Sequence, residues 1–259
     1  MERFEINGLS GHREGSGRPA LLLHGGPGLS DYMGPLAEEL DGLFETIRYT
    51  QRGTPPSRSG PPYTVETHVE DAIAVLDHFG LEHAWAIGHS WGGHLALHLA
   101  VAHPDRISGL ICVNTLGAYE EGLSEFGVNL RNRIPAKDAE RADSLEGTER
   151  LALLWPGYFA DPSDAPEMPE WEMSSEANAD TFTSVHAHFE AGTLATRLPK
   201  LELPALFIHG EADPFPAYVS HNTFELIRGA VLVELLDAGH FPWLERPGVI
   251  RGVVGRFLH

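Results

Sequence analysis

Residues Gly88-His89-Ser90-Trp91-Gly92 constrain this chain more than any other stretch. The spacing Gly-x-Ser-x-Gly is weak by itself. With 28 glycines in 259 residues, it arises by accident in about one such chain in six. Its setting is what carries information. The run Ala84 to Gly88 (AWAIG) is apolar and of strand length, and a helix is predicted from Trp91 to about Ala102, stopped near Pro104. A strand that turns into a helix at a serine must bend sharply. The bend holds the serine in a strained backbone conformation and lifts its hydroxyl off the sheet edge. The chain also crowds itself two residues to either side, where a Cβ would clash, so positions 88 and 92 need glycine.

Similar apolar runs surround this turn. Pro19 to His24 (PALLLH), Phe44 to Tyr49 (FETIRY), Ile107 to Val113 (ISGLICV), Ala205 to His209 (ALFIH) and Val231 to Leu236 (VLVELL) read as strands. Val65, Val69, Ala72, Ile73, Leu76 and Phe79 share one helical face that Gly80 ends; further helices are predicted over Ala217 to Ile227 and Arg246 to Leu258. Strand and helix alternate, which predicts an α/β fold with a mostly parallel central sheet flanked by helices. The alternation lapses between about 117 and 199, where Pro156, Pro162, Pro166 and Pro169 cluster and 16 acidic residues face 6 basic ones. That stretch reads as a mainly helical insertion. Residues 1–116 and 200–259 then form one core domain.

Composition limits the partners. A net charge of −19 argues against nucleic acid and anionic membrane as partners, and leaves a small-molecule or short-peptide substrate. The start, Met1 to Glu5, is charged and lacks an apolar run, no segment reaches the roughly 18 apolar residues of a membrane span, and Cys112 has no partner for a disulfide. A cytoplasmic enzyme is the expectation. No metal-ligand spacing and no dinucleotide fingerprint is present, so neither metal nor cofactor is expected.

A serine hydroxyl needs a base, and fifteen histidines compete for that role. Position selects His240, in the loop after the strand Val231 to Leu236, at the edge where open α/β sheets place their ligand sites. Asp213, in the loop after Ala205 to His209, is placed to accept the second imidazole N–H and to stabilise the imidazolium. Glu211 and Asp237 are the rival acids. The chain order Ser90, Asp213, His240 is the one expected where a nucleophile elbow is used. For the oxyanion, one donor is assigned to the N–H of Gly26, with Gly25 the alternative, and the other to the N–H of Trp91. His24 reads as a structural strand-end residue.

HGGPG at 24–28, QRG at 51–53, GHSWGG at 88–93, HGEADP at 209–214 and GHFPWLERP at 239–247 together resemble the α/β-hydrolase superfamily, and within it the prolyl iminopeptidase-like group. The resemblance implies a Ser90-Asp213-His240 triad and makes residues 117–199 a helical lid over the site. It also implies that lid glutamates bind the substrate's free amine. Glu167, Glu170, Glu172 and Glu176 are available, and Glu172, Trp155 and the loop glycine Gly25 stand as the substrate-binding candidates. Two positions depart from the group: Thr50 where Asp is usual, and His89 where Gly is more frequent. The function so implied is a serine hydrolase working through an acyl-enzyme, as an iminopeptidase-like aminopeptidase or amidase. A carboxylesterase or lactonase is the alternative, and a cofactor-free dioxygenase or lyase on the same fold a further one.

Overall fold

The computed structural model describes all of residues 1–259. Eight strands form one sheet: β1 (Glu2–Ile6), β2 (Leu9–Gly15), β3 (Arg18–Leu23), β4 (Phe44–Thr50), β5 (Ala84–His89), β6 (Ile107–Val113), β7 (Ala205–Gly210) and β8 (Val231–Leu235). Their order across the sheet is β1-β2-β4-β3-β5-β6-β7-β8. The β1–β2 and β2–β4 pairings are antiparallel and the rest parallel. The apolar runs read as strands occupy β3 to β8. The β1–β2 hairpin was not foreseen, although its signal is present. Asn7-Gly8 joins the two strands with φ of 49° and 81°, the positive values that a tight two-residue hairpin turn requires.

Helices cover both faces of the sheet, which is why β5 and β7 are buried along their whole length. The strand period of two divides the core. Leu21, Leu23, Ala86 and Phe207 point to one face, against α2 (Val65–His78) and α3 (Trp91–Ala102). Leu22, Ile87 and Ile208 point to the other, against α1 (Gly34–Leu40) and α11 (Val249–Phe257). Thr64 starts α2 with a capping box, its hydroxyl accepting from the Thr67 N–H.

Between β6 and β7 lie α4 (Glu121–Asn132), α5 (Ala136–Ala142), α6 (Gly147–Leu154), α7 (Ser175–Glu190) and α8 (Thr193–Arg197). No α-helix forms between Leu154 and Ser175, where the four prolines fall. Leu130, Ile134, Ala139, Ala142 and Leu154 make a small core of their own there. After β7 comes α9 (Tyr218–Phe224), shorter than the predicted Ala217 to Ile227. The predicted final helix, Arg246 to Leu258, begins only at Val249 as α11, because Pro247 cannot continue a helix and Gly248 takes φ 86°; the short α10 (Pro242–Glu245) precedes it. No helix is long and apolar enough to cross a membrane.

Candidate active site

Ser90 sits between β5 and α3 with φ 55° and ψ −121°, a conformation that a non-glycine residue holds only when its surroundings enforce it. The crowding is severe. A Cβ on Gly88 would lie 2.1 Å from the Gly92 carbonyl oxygen, and one on Gly92 would lie 1.9 Å from the Leu23 carbonyl oxygen. The elbow therefore passes only with glycine at both positions. Ser90 remains 8% exposed, and it lines a cavity of about 700 Å³.

Asp213 and His240 meet at the same strand edge. His240 Nδ1 lies 2.9 Å from Asp213 Oδ2 and 3.1 Å from Oδ1, and Oδ1 also accepts the Phe215 N–H at 2.7 Å. Every neighbour of the carboxylate donates to it, so His240 carries its proton on Nδ1 and keeps the lone pair on Nε2. Burial opposes charge on both groups: it lowers the imidazole to about 3 and raises the carboxyl. His240 also lines the cavity that Ser90 lines, although no hydrogen bond joins the two side chains. The rival acids Glu211 and Asp237 are both solvent-exposed and bond to no histidine.

The loop after β3 supplies one free donor. The N–H groups of Gly26 and Trp91 meet no acceptor in the protein, and both residues line the cavity beside Ser90. Gly25 differs from its assignment. Its N–H is already given to the Tyr32 hydroxyl at 2.7 Å, and the residue does not line the cavity. It must still be glycine, because a Cβ there would lie 2.7 Å from Ser90 Cβ. His24 holds this loop in place: Nε2 accepts the Gln51 N–H at 3.0 Å, so Nδ1–H donates to the Gly25 carbonyl at 2.9 Å. Gln51 in turn accepts the Trp91 indole N–H at 2.7 Å and donates to the His24 carbonyl at 2.8 Å. Thr50, at the departed position, accepts the Asp31 N–H.

The cavity wall is aromatic, with Phe126, Trp155, Tyr158, Trp171, Phe215 and Phe241 among its residues. Trp155 is thus present as a lining residue, its indole N–H spent on the Pro166 carbonyl. Glu172 is not. It is exposed, and its backbone pairs with Ser30, placing the carboxylate off the cavity. Glu167, Glu170 and Glu176 are exposed and outside the cavity as well. The charged residues that do line it are Arg131, Glu146 and Arg150, and Arg131 is paired with Asp143.

Several supporting residues lie outside the candidates read from the sequence. Asn114, at the end of β6 with φ 47°, donates to the Gly239 and His240 carbonyls and accepts from the Gly210 N–H. The Glu245 carboxylate accepts the N–H groups of Ala160 and Gly239, and Arg133 binds the carbonyls of Ala212, Phe159 and Ala160. These bonds tie the inserted segment to the loops that carry Asp213 and His240. Glu245 lay in the GHFPWLERP stretch and could have been singled out there. Nothing marked Arg133.

The alpha/beta hydrolase fold family matches the chain over residues 19–247. The RutD protein of Caulobacter vibrioides is 38% identical over 102 residues, a match spanning 38% of this chain and 38% of that protein. Proline iminopeptidase of Lactobacillus delbrueckii subsp. lactis is 27% identical over 256 residues, covering 88% of this chain and 85% of the relative. Among solved structures, a thermophilic esterase from Thermogutta terrifontis superposes with a TM-score of 0.70 at 25% identity, over 100% of this chain and 98% of that one.

Proposed function

The chain belongs to the alpha/beta hydrolase family, and from that premise we propose that it is a serine hydrolase cleaving carboxylic esters or lactones with small apolar acyl groups. Ser90 Oγ attacks the carbonyl carbon while His240 Nε2 takes its proton. The carbonyl oxygen becomes an oxyanion, met by the N–H groups of Gly26 and Trp91. Asp213 holds the imidazole in the reactive tautomer and stabilises the imidazolium. His240 returns the proton to the departing alkoxide, leaving an acyl-enzyme on Ser90. Water, deprotonated by the same imidazole, then releases the acid and restores the serine. The observation that carries this reading is the 2.9 Å Asp213–His240 bond opening on the same cavity as a serine held at φ 55°.

The aromatic lining supports an apolar acyl group. An aminopeptidase needs a carboxylate beside the scissile bond to hold the substrate ammonium, and Glu167, Glu170, Glu172 and Glu176 lie outside the cavity. The aminopeptidase reading keeps one support, the 27% identity with a proline iminopeptidase along most of both chains, and Glu146 is the acid it would use. A paired assay separates the two. p-Nitrophenyl esters of increasing acyl length are compared with proline p-nitroanilide, using Ser90→Ala as control. Ester turnover that Ser90→Ala abolishes supports the proposal. Preference for the arylamide would transfer it to the aminopeptidase, and equal turnover by Ser90→Ala would refute both.

A further inference from the structure

The side chains of Tyr32 and His89 form a chain of hydrogen bonds that the reaction scheme above leaves unused. The Tyr32 hydroxyl lies 2.7 Å from the Gly25 nitrogen and 2.7 Å from His89 Nδ1. His89 Nε2 lies 2.7 Å from the His240 carbonyl oxygen. The direction of every bond follows from chemistry. A carbonyl only accepts, so His89 carries its proton on Nε2. The ring is fully buried, and burial beside the His240 imidazole holds its pKa well below the ordinary histidine value, so it is neutral. Nδ1 therefore has a lone pair, and the Tyr32 O–H donates to it. The phenol oxygen then accepts the Gly25 N–H. No direct hydrogen bond joins the loop at 24–28 to the loop at 239–241.

We propose that Tyr32 and His89 are positioning residues for the reaction: they hold the loop that presents the oxyanion donor Gly26 and the loop that presents the base His240 in one fixed hydrogen-bonded relation. This rests on the serine-hydrolase reading of the site. The oxyanion donor and the base must act on one carbonyl from opposite loops, and small errors in their spacing are costly. Gly25 immediately precedes the donor, and its carbonyl is fixed from the other side by His24 Nδ1–H. The His240 carbonyl receives Asn114 Nδ2 as well as His89, while its N–H donates to the Tyr158 carbonyl. Tyr32 also packs edge-on against the His89 ring, at 5.7 Å between centroids, so phenylalanine can keep the ring contacts and lose only the oxygen.

Tyr32→Phe is the test. Initial rates are normalised to active sites counted with a fluorophosphonate. A kcat lowered by about ten- to a hundredfold with KM within about threefold is expected. Reaction of the fluorophosphonate at Ser90 should slow in parallel, while the melting temperature marks the variant as folded. Tyr32→Phe combined with His89→Gln should cost little more than the worse single change, because both break one chain. A second readout needs no turnover: the far-downfield proton resonance of His240 Nδ1–H on Asp213 should shift in Tyr32→Phe. If Tyr32→Phe does not fold, His89→Gln is read in its place. Unchanged kcat per active site, or an unchanged His240 resonance, overturns the proposal. Absence of fluorophosphonate reaction in the wild type would sink the hydrolase reading instead, and the resonance would still decide this one.

Discussion

Acidification should destabilise this protein steeply, and below pH 6.5 rather than only in strong acid. His68 and His94 are fully buried, and burial lowers their imidazoles to about 3 and about 4. A histidine in the unfolded chain titrates near 6.5. A group whose folded pKa is depressed binds fewer protons folded than unfolded. Its contribution is whole above about pH 6.5 and is lost as the pH falls towards the folded value. Between pH 7 and 5.5 each of these two histidines costs about 1 kcal/mol, together roughly 2 to 3 kcal/mol. His24, His89, His98 and His209 are lowered for the same first reason, desolvation, and add to the loss. In the Asp213–His240 pair the shifts oppose each other: the raised carboxyl favours the folded state as pH falls and offsets the loss from the imidazole. Against a total stability of about 5–15 kcal/mol, the histidine term is large. Urea unfolding followed by circular dichroism at pH 7.0, 6.5, 6.0 and 5.5 measures it. His68→Leu should also flatten the slope of stability against pH by about 1 kcal/mol per pH unit near pH 5.5, whatever it does to stability at pH 7. A stability that does not change between pH 7 and 5.5, or a slope that His68→Leu leaves intact, would refute the reasoning.

Ser90→Ala should abolish ester hydrolysis with the melting temperature nearly unchanged, since only a cavity-facing hydroxyl is lost. Asp213→Asn should lower kcat by up to about 10⁴ by admitting the wrong imidazole tautomer, and steady-state kinetics will show it. Gly92→Ala should fail to give folded, active protein, because its Cβ would stand 1.9 Å from the Leu23 carbonyl oxygen; a soluble active variant would contradict the elbow geometry. Glu146→Gln should leave hydrolysis of neutral esters within about twofold, as a group the acyl transfer does not use; a selective loss on proline arylamide would favour the aminopeptidase instead.

The local parts of this site were legible because local rules produce them. Gly88 and Gly92 betray a turn too tight for a Cβ, and the loops that carry Asp213 and His240 follow apolar runs whose length and flanks mark strands. The N-terminal hairpin was legible too, at Asn7-Gly8. The insertion resisted for a physical reason. Its helices bury only part of their surface on one another, so periodicity does not say which side chains reach the cavity. Glu172 looked like a cavity residue beside Trp171, yet its backbone pairs with Ser30 and turns the carboxylate to solvent. Gly25 stands in the sequence as the alternative to Gly26 for the oxyanion donor, and the Tyr32 hydroxyl, arriving from seven residues away, takes the Gly25 N–H.

Sequence by itself therefore determined the order along the chain of the candidate groups: a serine on a strained turn, then an acid and an imidazole after later strands. Tertiary structure decided which N–H groups stay unpaired, which acids meet the cavity and which histidines are sealed from water. Those properties depend on atoms that distant segments bring together, and nothing in the neighbouring residues encodes them.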